Sequence, residues 1–180
     1  MKYEIVISAA AFALLGLAGA KAQAADASVL LNKANVINYE EIQMAKTAKS
    51  KAGDNQTLTT FGETLEADHK ANEDALTALS RQKGVKIEGT PAEADTKVKE
   101  LDNLDGGAFN EAFLKSEIAD HEKAIALFEH AHKAFAGDPD MELYIGQTIP
   151  IMRAHLEMAE GIQRHLSESS PQSPTNNKNK

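Results

Sequence analysis

From about residue 27 to residue 166 the apolar positions recur every three to four residues, and no stretch alternates apolar and polar over the length of a strand. Leu58, Phe61, Leu65, Leu76 and Leu79 trace one stripe. Phe109, Phe113, Leu114, Ile118, Ile125, Phe128 and Phe135 trace a second, broader one, and Met141, Ile145, Met152, Leu156, Ala159 and Ile162 a third. Ile37, Met44 and Ala48 lead a fourth, thinner face. Each residue turns a helix by roughly 100°, so such sets gather on one side of a cylinder that other helices must cover.

Glycines, prolines and capping residues divide this pattern. A first helix is expected from about Ala27 to Ala52, stopped by Gly53, and a second from near Asp54 or Thr57 to Gly84, after Lys83. The connection from Val85 to Gly107 carries Gly89 and Pro91, with a short helix expected from Ala92 to Leu101. The next long helix runs from about Ala108 to Ala136 and stops at Gly137. The last follows "GDP", with Asp138 as cap and Pro139 at the first helical position, and reaches about Leu166. Pro150 should kink it and free a carbonyl about one turn earlier. Two tight hairpins joined by a long link predict an all-α fold: a ferritin-like four-helix bundle with one long crossover containing a short helix.

Several polar residues fall on faces that must be buried. The segments "LEADHKANEDAL" and "EIADHEKAIALF" repeat Ala-Asp-His on two helices. His69 and Asn72 lie inside the second helix's stripe, with Asp68 at its edge. Glu117 is near the centre of the broad stripe, His121 is close by, and Asp120 is nearer the edge; His155 lies in the last stripe. Glu40 and Glu41 flank the thin face on opposite sides, and the helical wheel does not choose between them. All sit near the middle of their helices, and midpoints meet at one level whichever way each helix runs. The pattern therefore sets up to three histidines and one or two glutamates in one layer of the core.

A buried carboxylate without a partner costs several kcal/mol or takes up a proton. Glu117 thus needs a protonated histidine, a lysine stem reaching in, or a metal ion. Bundle cores are where helical metalloproteins assemble sites from facing helices. A metal-free network is the other reading, since a single histidine on an apolar face is commonly a core residue hydrogen-bonded to a carboxylate. His130, His132 and His165 read as surface residues, and Met44 and Met152 as core filler one turn from candidate site residues.

Composition narrows compartment and partners. The start, "MKYEIVISAAAFALLGLAGAKAQA", joins a short charged end, an apolar run from Ile5 to Ala20 and a small-residue "AQA". This is the pattern of a secretory signal peptide over residues 1–24, with a run too short for a membrane span. The expected product is periplasmic, with a bundle domain over residues 25–166 and a polar, disordered tail over 167–180. It carries no transmembrane segment. The absence of cysteine excludes disulfides, thiolate ligands, a cysteine nucleophile and a lipoprotein anchor. A net charge of −8 without a basic face argues against nucleic acid. Protein partners are not indicated.

Three runs, "INYEEIQMAKTAKSKAGDNQTLTTFGETLEADHKAN", "GGAFNEAFLKSEIADHEKAIALFEHA" and "QTIPIMRAHLEMA", resemble the domain of unknown function 4142 family of exported bacterial proteins, often labelled outer membrane proteins. The resemblance covers about Asn35 to Ala159 and implies a ferritin-like fold. It places the family's motif positions on Glu41, Asp68, His69, Asp120, His121, Arg153 and His155, favouring Glu41 over Glu40. It implies no established reaction. The membrane label has no support in the expected mature sequence, which lacks barrel strands and a lipid anchor. Ferritin-like di-iron proteins take a Glu from two helices and Glu-x-x-His from the other two. Here Glu66 and His69 have that spacing, but Glu66 falls toward the flank, and Met152 stands where the second glutamate would be. A histidine-rich, carboxylate-poor set suits one ion such as zinc, copper or iron. The candidate ligands are His69, His121, His155, Glu117 and Glu41, with Asp68, Asp120, Asn72 and Arg153 behind them. No catalytic residue and no organic cofactor is indicated. Two other functions are open: a metal-free structural or stress-related envelope protein, and a metal-dependent oxidoreductase, which would need an open coordination position and a route for small molecules.

Overall fold

The computed structural model describes residues 10–89 and 92–169, with side chains for 26–89 and 95–168. Among the described residues there are five α-helices and no strand: α1 (Ala10–Lys51), α2 (Gln56–Lys83), α3 (Ala92–Asp102), α4 (Gly106–Ala134) and α5 (Pro139–Ser169). The tight turns carry the expected chemistry. Asn55, between the two residues expected to start α2, caps it by accepting the Leu58 N–H at 3.2 Å. Gly84 closes α2 with φ 66°, a left-handed conformation that a side chain disfavours. Asp138 caps α5 through the Met141 N–H at 3.3 Å and also takes Lys83 Nζ at 2.5 Å, tying the start of α5 to the end of α2.

Three boundaries differ from expectation. α1 begins at Ala10 rather than near Ala27, because the Ala- and Leu-rich segment before it is made of strong helix formers and the helix runs unbroken through Ala24. α4 starts two residues early, at Gly106, and ends at Ala134. α5 continues to Ser169, so the expected tail is helical in its first residues; residues 170–180 lie outside the described residues, as do 1–9 of the expected signal segment. No described helix is long and apolar enough to cross a membrane. Helix α5 continues through Pro150.

α1 packs on α2, α4 on α5, α2 on α5 and α1 on α4, while the crossover helix α3 lies against α1 and α4. The α1–α2 contact is close at Gly62, where an added Cβ would stand 3.0 Å from the Ala45 carbonyl oxygen. The apolar core is divided in two. One cluster holds Leu31, Ala34, Leu76, Phe128 and Ile145; the other holds Met44, Leu65, Phe109, Phe113 and Leu114. Phe113 anchors the second, stacked on Phe109 at 5.6 Å and edge-on to Phe61 at 6.0 Å. Burying each such ring contributes about 1.5–3 kcal/mol. Between the clusters lie Asn38, Glu41, His69, Glu117, His121 and His155, all buried. The buried face of α1 runs Leu31, Ala34, Asn38, Glu41, Ala45 and Ala48, rotated away from Ile37, which is only partly buried.

Candidate metal centre

The three histidines come from three helices, α2, α4 and α5, and meet with ring centroids 5.2–5.8 Å apart. Each offers one ring nitrogen, and the three nitrogens lie within 4.8 Å of one another. The partners of the other ring nitrogens fix the tautomers. His155 Nε2 faces Asp68 Oδ2 at 2.9 Å and therefore carries the proton that it donates to the carboxylate. His121 Nδ1 faces the Glu117 carbonyl oxygen at 2.9 Å and donates in the same way. His69 Nδ1 faces Asn38 Oδ1 at 3.0 Å. That amide is oriented by its own Nδ2, which donates to Asn72 Oδ1 at 2.9 Å, so Oδ1 accepts and His69 Nδ1 donates. In the neutral form of each ring one lone pair is left: on His69 Nε2, His121 Nε2 and His155 Nδ1. His121 Nε2 and His155 Nδ1 are 3.2 Å apart, acceptor against acceptor, and His69 Nε2 is buried with no hydrogen-bond partner.

Burial, and after it repulsion from any proton taken up by His121 or His155, holds the His69 pKa well below its ordinary value. Burial also lowers that of His155, against the opposing bond to Asp68. Both rings are thus neutral at neutral pH, the form that binds a metal. Two nitrogens bound tetrahedrally at about 2.0–2.1 Å from one ion lie roughly 3.3–3.4 Å apart, close to the spacing of His121 and His155. In metal sites the ligand histidine donates its second N–H to a carboxylate, a carbonyl or another acceptor, and all three rings here do so.

Beside the trio stand Glu41 on α1 and Glu117 on α4, which with His121 form a second group whose ligand atoms lie within 4.8 Å. Burial, and then the charge of Glu41, push the Glu117 carboxyl well above its ordinary range. Burial raises Glu41 as well. Glu41 Oε2 and both Glu117 oxygens have no hydrogen-bond partner.

The remaining candidates are placed differently. Glu40 is turned outward and pairs with Lys97 of α3 at 2.6 Å. Asp120 pairs with the same Lys97 and accepts from Ser116 at 3.0 Å, so it holds the crossover rather than a histidine. Asn72 supports Asn38, and is itself held by Tyr144 and by Thr148 at 2.8 Å each. Arg153 is exposed and bonded to Glu129, not to the layer. Glu66 is clamped by Lys49 and Lys70, whose bonds pull it down to about 2. His130, His132 and His165 are exposed, and Met44 and Met152 are buried in the apolar clusters. Sequence reasoning missed Asn38, Tyr144, Thr148 and Lys97. Asn38 was within reach, since it stands at helical spacing from Ala34 and Glu41; Lys97 was not, because nothing in a short polar helix says which side faces the bundle.

No curated protein and no solved structure matches the chain. A family model described as domain of unknown function (DUF4142) matches residues 14–162, and the chain belongs to that family.

Proposed function

We propose that this protein is a ferritin-like bundle, exported to the periplasm, that binds a transition-metal ion in the polar layer of its core. His69, His121 and His155 are the ligands, and Glu41 and Glu117 stand beside them. The observation that carries this reading is the hydrogen bonding of the rings: each is fixed by a donated N–H, and each keeps one lone pair for the same space. Three imidazoles suit zinc or copper, and iron less closely. Asp68 holds His155 in place, so Asp68→Asn should weaken metal binding about 10–100-fold. The test is metal analysis of the protein from its native compartment, followed by titration of the metal-free form with zinc, copper and iron. One equivalent should bind and be lost in His69→Ala/His121→Ala; a folded wild type that takes up none of the three ions ends the idea.

A metal-free layer is favoured by one observation, the 3.2 Å contact of His121 Nε2 with His155 Nδ1, which a single extra proton would turn into a hydrogen bond. In that case the layer specifies packing in a structural envelope protein. Melting that is unchanged by chelator, with His121→Leu tolerated, would support it over the metal site.

A further inference from the structure

We propose that Glu41 and Glu117, with His121 shared with the histidine trio, hold a second cation distinct from the one bound by the three histidines. This deepens the reading above and shares its premise that the layer takes cations. The three-histidine site leaves an anomaly unexplained: Glu117 is fully buried and Glu41 is 2 % exposed, and the two carboxyls face each other with no N–H or O–H donor of the protein satisfying Glu41 Oε2 or either Glu117 oxygen. Lys97, whose charge acts on both carboxyls, is committed to Glu40 and Asp120. Two adjacent carboxylates in that setting require either one shared proton or an ion.

The geometry admits an ion. The ligand atoms of Glu41, Glu117 and His121 lie within 4.8 Å of one another, and atoms held at about 2.0–2.2 Å from one ion are at most about 4.4 Å apart. Bent coordination sets such atoms about 3.3–3.4 Å apart, so the side chains draw inward on binding. Its donors differ from those next door: two carboxylates and one imidazole favour manganese(II) or iron(II), whereas three imidazoles favour zinc or copper. His121 is common to both groups. Its Nε2 serves the first ion. Its Nδ1, 2.9 Å from the Glu117 carbonyl and 3.5 Å from Glu117 Oε2, would join the second by losing its proton to solvent as a bond from Nδ1 to the metal forms, giving up the hydrogen bond to the carbonyl while the first ion keeps the ring in place.

The test loads the full chain with zinc, adds manganese(II), and measures both ions after desalting, together with the manganese resonance spectrum. About one equivalent of each is expected. Glu41→Gln and Glu117→Gln, close in shape to the protonated side chains, should keep zinc and lose manganese affinity by more than about 100-fold, with folding checked by circular dichroism. His69→Ala should do the reverse. Zinc-loaded wild type that takes no manganese, or equal uptake in Glu117→Gln, overturns the second position and leaves the histidine site standing. Glu117-dependent manganese uptake without any zinc binding supports the carboxylate position and overturns the three-histidine one. Uptake of neither ion overturns both.

Discussion

Glu117 loses its hydration on folding and lies beside Glu41, so the folded protein holds a proton there more tightly than the unfolded chain does. The sign of the resulting pH dependence follows. The stability contributed by this proton is complete below the unfolded pKa, about 4.5, and is lost as pH rises through the higher folded value. His69 acts the opposite way: its folded pKa is depressed, so its contribution grows as pH rises toward 6.5 and is complete above. Comparing wild type with Glu117→Gln isolates the first effect. In chelator, urea midpoints from about pH 5 to about pH 8 should shift steadily in favour of Glu117→Gln as pH rises; a constant difference would show that Glu117 is not protonated in the metal-free fold. At this scale the sequence was legible where periodicity and depth agree, which is why His69, His121, His155 and Glu117 could be named. It was not legible for the two Ala-Asp-His copies. Asp68 reaches across to His155 on α5, whereas Asp120 turns to Lys97, and only the neighbour opposite each one distinguishes them.

Helices that meet closely are set by their smallest residues, and for α1 and α2 that residue is Gly62. A methyl group there would stand 3.0 Å from both the Ala45 carbonyl oxygen and Lys49 Cγ. The lysine stem can move, but the carbonyl belongs to a helix backbone and cannot. Gly62→Ala should therefore spread the hairpin and cost about 1–3 kcal/mol, despite the higher helix propensity of alanine. An unchanged urea midpoint would mean that the two helices adjust freely. The spreading should also lengthen the Asn38–His69 bond, two turns along the same contact. Caps and glycines made the helix ends predictable to within a few residues from α2 onward. The start of α1 escaped, because alanine and leucine continue a helix as readily as they compose a signal peptide.

The molecule consists of two helical hairpins with a crossover between them, and the polar layer draws on both. Glu41 and His69 come from α1 and α2; Glu117, His121 and His155 come from α4 and α5. Neither hairpin alone holds all three histidines of the layer. Under the proposed function, saturating the site at 100 times the dissociation constant stabilises the docked form by about 2.7 kcal/mol, a rise in Tm of roughly 5–10 °C. Thermal scans with and without metal check this, and equal melting temperatures at saturation would show that the ion does not depend on docking.

The division of the apolar core into two clusters has a mechanical consequence. Each cluster is sealed by its own leucines and phenylalanines, so the polar layer is a seam at which the protein can loosen locally while both ends stay packed. Under the proposed function, an ion in that seam acts as a removable stitch between two halves already held at top and bottom. Its release then needs only a brief opening at mid-height, not the unfolding of the protein.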